Sequence, residues 1–270
     1  MLKDITLGQF FPGNTLIHRL DPRGKLIILF AFITLLLFAN HAIMYGLLLF
    51  YFLMAMILSK VAPRALFRGM KPMVIIILFT VTLNLLYGSG ENILWSWWIF
   101  DISSESIEHA VFMALRLLML VSLSFLLTYT TSPLALSDGL GRLLSPLVLF
   151  RIPVHEFAMM MTIALRFIPT IIEETDKIMS AQKARGADFE TGHIFRRAKA
   201  MIPVLVPLFI SAFRRADDLA NAMECRCYNG SKGRTRMKQM RFSRRDMLAV
   251  PLSLLFFGGM FAARQLGWFL

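Results

Sequence analysis

Five apolar runs separated by charged links constrain this chain more than anything else it carries. They cover residues 26–39, 42–59, 72–87, about 107–129 and 247–270. In hydrocarbon every backbone N–H and C=O must find a partner within the protein, so only helices and closed barrels span a bilayer. A spanning helix needs about 17–25 residues, and each run approaches or meets that length once its flanks are included. Asn40-His41 between the first two runs reads as the turn of a helical hairpin. The chain is 57% apolar, above the roughly 45–50% of soluble domains. The expected fold class is therefore an all-α integral membrane protein with about five transmembrane helices and a cytoplasmic module of long amphipathic helices. Residues 1–130 form an N-terminal bundle of four spans, 131–246 the module, and 247–270 the last transmembrane helix. The pieces 143–150 and 159–168 are apolar enough to dip into the membrane. No signal peptide with a cleavage site is expected before the first run.

The charge, +12 overall, would suit nucleic acid if it covered a soluble surface. Here it lies between apolar runs, and the positive-inside rule accounts for it without a nucleic-acid partner. Arg23 and Lys25 follow the turn signal Asp21-Pro22 and are well placed to meet lipid headgroups. The link 60–71 holds Lys60, Arg64, Arg68 and Lys71 without an acid, and 131–246 holds nineteen Lys and Arg against eleven Asp and Glu. On the opposite side, the loop after Gly88-Ser89-Gly90 holds Glu91, Asp101, Glu105 and Glu108. Trp95, Trp97 and Trp98 lie in the same loop, as indoles do at a membrane–water interface. These asymmetries place the N-terminus and the module in the cytoplasm. Arg116, inside a span, is costly in lipid and is expected to face a polar partner in the protein.

The module carries two long helical patterns with a shared layout. The first starts near His155-Glu156 and runs Ile168, Ile171, Ile172, Ile178 and Met179 along one face, with Pro169 inside it as a kink. It closes at Ala184-Arg185-Gly186, where glycine marks the stop. The second follows Pro203 and Pro207 and runs Leu205, Leu208, Phe209, Ala212, Ala216, Leu219 and Met223 along its apolar line. Arg214, Arg215, Asp217 and Asp218 form a charged band, and the pattern closes at Cys225-Arg226-Cys227. A terminal arginine can simply answer the helix dipole, worth about 0.3–1 kcal/mol. Two matching tips argue instead for a paired docking surface, since small neighbours expose a guanidinium that can bond a carboxylate through two N–H groups at once. A basic tail follows, with Lys232, Arg234, Arg236, Lys238 and Arg241, which suits anionic lipid.

Catalysis and metal binding find little footing. Cys225 and Cys227 flank the tip arginine and have no histidine nearby to complete a metal site, so small packing residues are the better reading. No Gly-rich phosphate loop ending in Lys-Ser/Thr is present, so ATP must be bound by another subunit and no cofactor is expected in this chain.

The arm Leu20-Asp21-Pro22-Arg23 with Lys25, the run Ala164-Leu165-Arg166-Phe167-Ile168-Pro169 and the two arginine tripeptides together resemble the transmembrane T component, EcfT, of energy-coupling factor (ECF) transporters, in the CbiQ-like superfamily. The resemblance covers nearly the whole chain. It implies a multi-pass subunit of a prokaryotic cell membrane, without enzymatic activity, that joins two ABC-type ATPases to a substrate-binding membrane S component for a micronutrient such as a vitamin. It also implies that the long helices are coupling helices, docked on the ATPases through Ala184, Arg185 and Gly186 and through Cys225, Arg226 and Cys227. Arg166, Pro169, Pro203 and Pro207 would shape those helices. The first tripeptide matches the family's Ala-Arg-Gly; the second departs from it in both neighbours of its arginine. A T component of a dedicated cobalt or nickel transporter is the alternative, and an integral membrane enzyme is the reading from another class.

Overall fold

The computed structural model describes residues 10–87, 93–97, 100–189, 193–230 and 242–266. Gly88-Ser89-Gly90, Glu91, Trp98, the basic tail through Arg241 and the end of the last apolar run lie outside the described residues. Among the described residues eight α-helices follow one another: α1 (Pro22–Leu37), α2 (Ala42–Ser59), α3 (Pro63–Tyr87), α4 (Ser104–Thr130), α5 (Pro133–Leu143), α6 (Val154–Ala184), α7 (Ile194–Cys225) and α8 (Arg244–Gln265). A 3₁₀ turn at Ser145–Phe150 links α5 to α6. Between α3 and α4, where the acidic, tryptophan-rich segment falls, an antiparallel hairpin pairs β1 (Ile93–Trp97) with β2 (Phe100–Ser103).

Among the described residues five helices are long and apolar enough to cross a membrane: α2, α3, α4, α6 and α8. The number matches the sequence expectation, but the membership differs by one exchange. At 16 residues α1 is absent from this set, because Asp21 caps it and Phe38 ends it; with those two flanking residues it reaches the lower limit of about 17 residues for a crossing. The pattern in α6, by contrast, starts apolar at Val154 and is long enough to qualify.

The helices fall into two compact units, one within residues 8–140 and 240–270, the other within 141–239. In the first unit Phe32, Leu36, Met44, Leu48 and Met119 are almost fully buried and form the core of α1, α2 and α4. Tyr51 packs against Phe32, Phe256 and Phe257 and bonds Ser253 at 2.9 Å, which ties α8 into this core. Gly24 permits the approach of α1 to α8: a Cβ there would lie 2.7 Å from a methyl of Val250. The outer face of α3 from Val74 to Phe79 is left exposed, as a lipid-facing helix requires.

A buried polar cluster joins the ends of three helices in this unit. Asp246 accepts from its own cap, Ser243 N–H, at 2.8 Å and from Asp21 N–H at 2.7 Å. Lys25 Nζ donates to the Thr130 carbonyl at 2.9 Å and to Thr131 Oγ1 at 3.0 Å, closing the C-terminal end of α4. Lys25 is 7% exposed, so the expectation that it meets headgroups is corrected. Its cationic head has a better position against the carbonyl-rich end of a helix. Arg23 lies over the Phe242 ring and beside Asp21. The arm folds onto the same unit: Phe11 N–H donates to the Tyr129 carbonyl, and His18 Nε2 donates to Phe11 O. Burial, followed by the charge of Lys25, holds the His18 pKa below its ordinary value. The neutral ring can then accept from Thr15 Oγ1 at Nδ1.

Candidate functional site

The two helices of the second unit, α6 and α7, run in opposite senses past each other. Arg215 of α7 bonds Glu174 of α6 at 2.9 Å and stacks its guanidinium over Phe167, 5.8 Å from the ring centre. Further along α6, Gln182 reaches the Pro203 carbonyl of α7 at 3.5 Å. The second of these contacts has a chemical origin in the sequence. Pro207 has no N–H, so the Pro203 carbonyl lacks its helical partner, and a side chain of the facing helix can take that place.

The prolines do not begin α7, as the sequence pattern suggests; α7 starts at Ile194 and continues through Pro203 and Pro207. Helix formation survives because each proline removes one backbone bond, while the apolar line on either side stays in phase. Pro169 is likewise internal to α6. Arg166 is exposed, with no side-chain partner among the described residues, and the ion pair joining the helices uses Glu174 and Arg215 instead. In the sequence Arg215 stands out only as a member of a charged band, and Glu174 only as one of the acids Glu173, Glu174 and Asp176 off the apolar line of the first helix. The missed signal is the spacing of the pair, whose members are separated by 41 residues, the same interval as Arg185 to Arg226.

The two tips have the same backbone construction. Arg185 caps α6; Gly186 N–H then bonds Lys183 O at 3.0 Å and Ala187 N–H bonds Gln182 O at 3.0 Å. Arg226 caps α7; Cys227 N–H bonds Glu224 O at 2.8 Å and Tyr228 N–H bonds Met223 O at 3.0 Å. Both are Schellman motifs, in which the residue after the cap takes the left-handed conformation. Gly186 does so at φ 86° and Cys227 at φ 55°. Cys227 thus occupies the glycine position of the other tip, so the second tripeptide departs in residue type while keeping the turn. All six residues, Ala184, Arg185, Gly186, Cys225, Arg226 and Cys227, are exposed.

The geometry of the pair is even-handed. Glu174 and Arg215 each precede their own helix's tip arginine by eleven residues. At 1.5 Å per residue, each tip stands about 16 Å from the crossing. With the helices antiparallel, the tips lie on opposite sides of that crossing. The arrangement offers two equal, outward-facing guanidinium groups on a braced pair of helices.

The left-handed position makes a simple prediction. Cys227→Gly removes the Cβ penalty of about 1–2 kcal/mol for a non-glycine residue in that conformation, and its tip is expected to hold at least as well against thermal unfolding. Gly186→Ala introduces the same penalty and should lower the unfolding midpoint. Equal midpoints for wild type and Gly186→Ala would show that this turn is not held as described.

Fold and site define a class: a multi-pass helical membrane protein bearing a crossed helix pair with two exposed arginine tips. A comparison with known families places it further. The CbiQ family, described as "Cobalt transport protein", matches residues 13–237. Among curated relatives, an energy-coupling factor transporter transmembrane protein EcfT from Ruminiclostridium cellulolyticum is 49% identical, covering 95% of this chain and 96% of the relative. One of the same description from Acidaminococcus fermentans is also 49% identical, over 95% and 96%. Another from Lactobacillus helveticus is 41% identical, over 96% and 93%. The chain belongs to the CbiQ family and, within it, to the transmembrane proteins of energy-coupling factor transporters. It is a membrane component of a transporter, a non-catalytic role that fits the sequence reading.

Proposed function

We propose that this chain is the coupling subunit through which ATP hydrolysis by two ABC-type ATPases drives uptake of a micronutrient, such as a vitamin, by an associated membrane S component. The observation that carries the reading is the matched pair of tips: two arginine-capped turns of one construction, equidistant from a braced crossing. Two similar ATPases call for two similar sockets, and a lever with equal arms transmits the same displacement to each side. Arg185 and Arg226 are the docking groups, with Ala184, Gly186, Cys225 and Cys227 leaving room around each guanidinium. ATP stays on the ATPases, and this chain holds no cofactor.

The charge asymmetry of the loops supports an orientation with the N-terminus and the module, residues 131–246, in the cytoplasm, and the β1–β2 hairpin outside. The exposed apolar line of α7, with Ile202, Leu205, Phe209 and Phe213, is suited to the membrane S component. Motion of the tips then reaches that partner through α6 and α7. The description of the family as "Cobalt transport protein" also supports a second reading, a dedicated cobalt or nickel transporter of the same mechanics.

Capture of the protein from native membranes in mild detergent, with mass spectrometry of what accompanies it, tests the proposal. Two ATPase subunits together with several small membrane proteins are the expected company. ATPases with one constant membrane partner select the dedicated transporter. Repeated recovery with no ATPase, under gentle extraction, overturns the coupling role.

A further inference from the structure

A second site lies at the other end of the first unit, away from the Asp21–Lys25–Asp246 cluster. There the end of α1, the start of α2, the end of α3 and the first turns of α4 enclose a cavity of about 220 Å³. Ala39, Phe112 and Met113 supply its apolar wall, and Asn40, Asn84, His109 and Arg116 face it from three directions. Among the described residues no aspartate or glutamate lines it.

Arg116 is held firmly while much of its bonding capacity is unused. Its Nε donates to Tyr45 Oη at 3.1 Å and one Nη to the Ala39 carbonyl at 2.8 Å. Tyr45 is itself fixed, stacked on Phe112 at 4.8 Å and donating to the same carbonyl. A guanidinium has five N–H groups, so these two bonds leave three. Among the described residues no carboxylate pairs with Arg116. Asn84 uses one amide hydrogen on Thr80 O and keeps the other. Asn40 and His109 stand exposed at the rim.

A half-buried cation in a cavity whose described lining holds no acid, ringed by further N–H donors, is chemistry for an oxyanion. The Ala39 carbonyl at the end of α1 and the Tyr45 hydroxyl account for two of the N–H groups of Arg116, but not for the converging asparagines and histidine. We infer that this cavity is a phosphate-binding site, in which Arg116 supplies the fixed charge and Asn40, Asn84 and His109 supply further N–H donors. At this end of a membrane bundle the abundant phosphate is that of a lipid headgroup, with inorganic phosphate as the other source of the same chemistry. The site depends on the cavity alone and stands whichever face of the membrane it opens to.

The test uses the full chain, purified in detergent and stripped of lipid. Native mass spectrometry compares phosphatidylglycerol with diacylglycerol of the same acyl chains, and phosphorus NMR follows inorganic phosphate. Wild type is expected to retain phosphatidylglycerol over diacylglycerol. His109→Ala with Asn84→Leu should weaken that retention about a hundredfold, the value of two hydrogen bonds to a charged group, and Arg116→Gln should abolish it. The His109/Asn84 variant leaves the cap on α1 intact, so it decides the matter if Arg116→Gln fails to fold. Binding of inorganic phosphate that displaces the lipid assigns the site to free anion as well; binding of lipid alone assigns it to the headgroup. Equal retention of both lipids with no phosphate binding, or unchanged binding in the His109/Asn84 variant, overturns the site.

Discussion

Reversing both tip arginines, Arg185→Glu with Arg226→Glu, is expected to abolish uptake while leaving the protein folded in the membrane. Both side chains are exposed and neither has a side-chain partner among the described residues. Their loss therefore touches the fold only through the helix dipole, about 0.3–1 kcal/mol per tip. Docking is a different matter. Truncating one partner of a buried, hydrogen-bonded charge pair costs about 2–5 kcal/mol, and a reversed charge adds repulsion against the same carboxylate. Each single reversal should thus weaken ATPase capture by at least about thirtyfold, and the double reversal should remove it. Arg185→Lys with Arg226→Lys separates docking from a dipole role. Lysine keeps the charge but lacks the planar fork, so it preserves thermal stability and loses part of the transport. Normal ATPase capture by the double-glutamate variant would refute the docking assignment.

The second large effect is on stability. Asp246→Ala removes the acceptor of both Asp21 N–H and Ser243 N–H and leaves the buried Lys25 with fewer negative neighbours. Breaking one side of such a buried cluster typically costs about 3–5 kcal/mol. The expected result is a strongly lowered unfolding midpoint in detergent and little protein recovered from the membrane. Lys25→Met should behave similarly, since it uncaps Thr130 at the end of α4. The pair Lys25→Met with Asp246→Asn removes both charges, and its loss should be clearly smaller than the sum of the single losses, as coupled sites behave. Strict additivity would mean that the two groups do not share one cluster.

These sites show which parts of the molecule the sequence made legible. The arginine tips were readable because the first has a local helix-stop signature, a basic cap followed by glycine, and because a second long helical pattern also closes on an arginine between small residues. The use of Cys227 in a left-handed turn was not readable, since residue type argued against the conformation that the two backbone bonds impose. Lys25 looked like an interfacial lysine because its partners, Thr130 and Thr131, are more than one hundred residues away in sequence. Long-range pairings of this kind leave no periodic trace. The start of α7 was misplaced because proline counts locally as a breaker, whereas the cost of its missing bond is partly answered across space by Gln182. Arg116 was correctly expected to turn inward, because the expense of a charge in lipid is a general constraint rather than a local one.

The central claim is that the two tips contact ATPases, one at each end of the crossed pair. Photo-crosslinking groups placed at Lys183 and Glu224, two residues before each tip arginine, keep both tripeptides whole and test it in native membranes. The account predicts that each position, separately, captures an ABC-type ATPase, and that Arg185→Glu or Arg226→Glu removes the product at its own tip. Capture of ATPase from neither position, while ATPases still accompany the protein on purification, would contradict it.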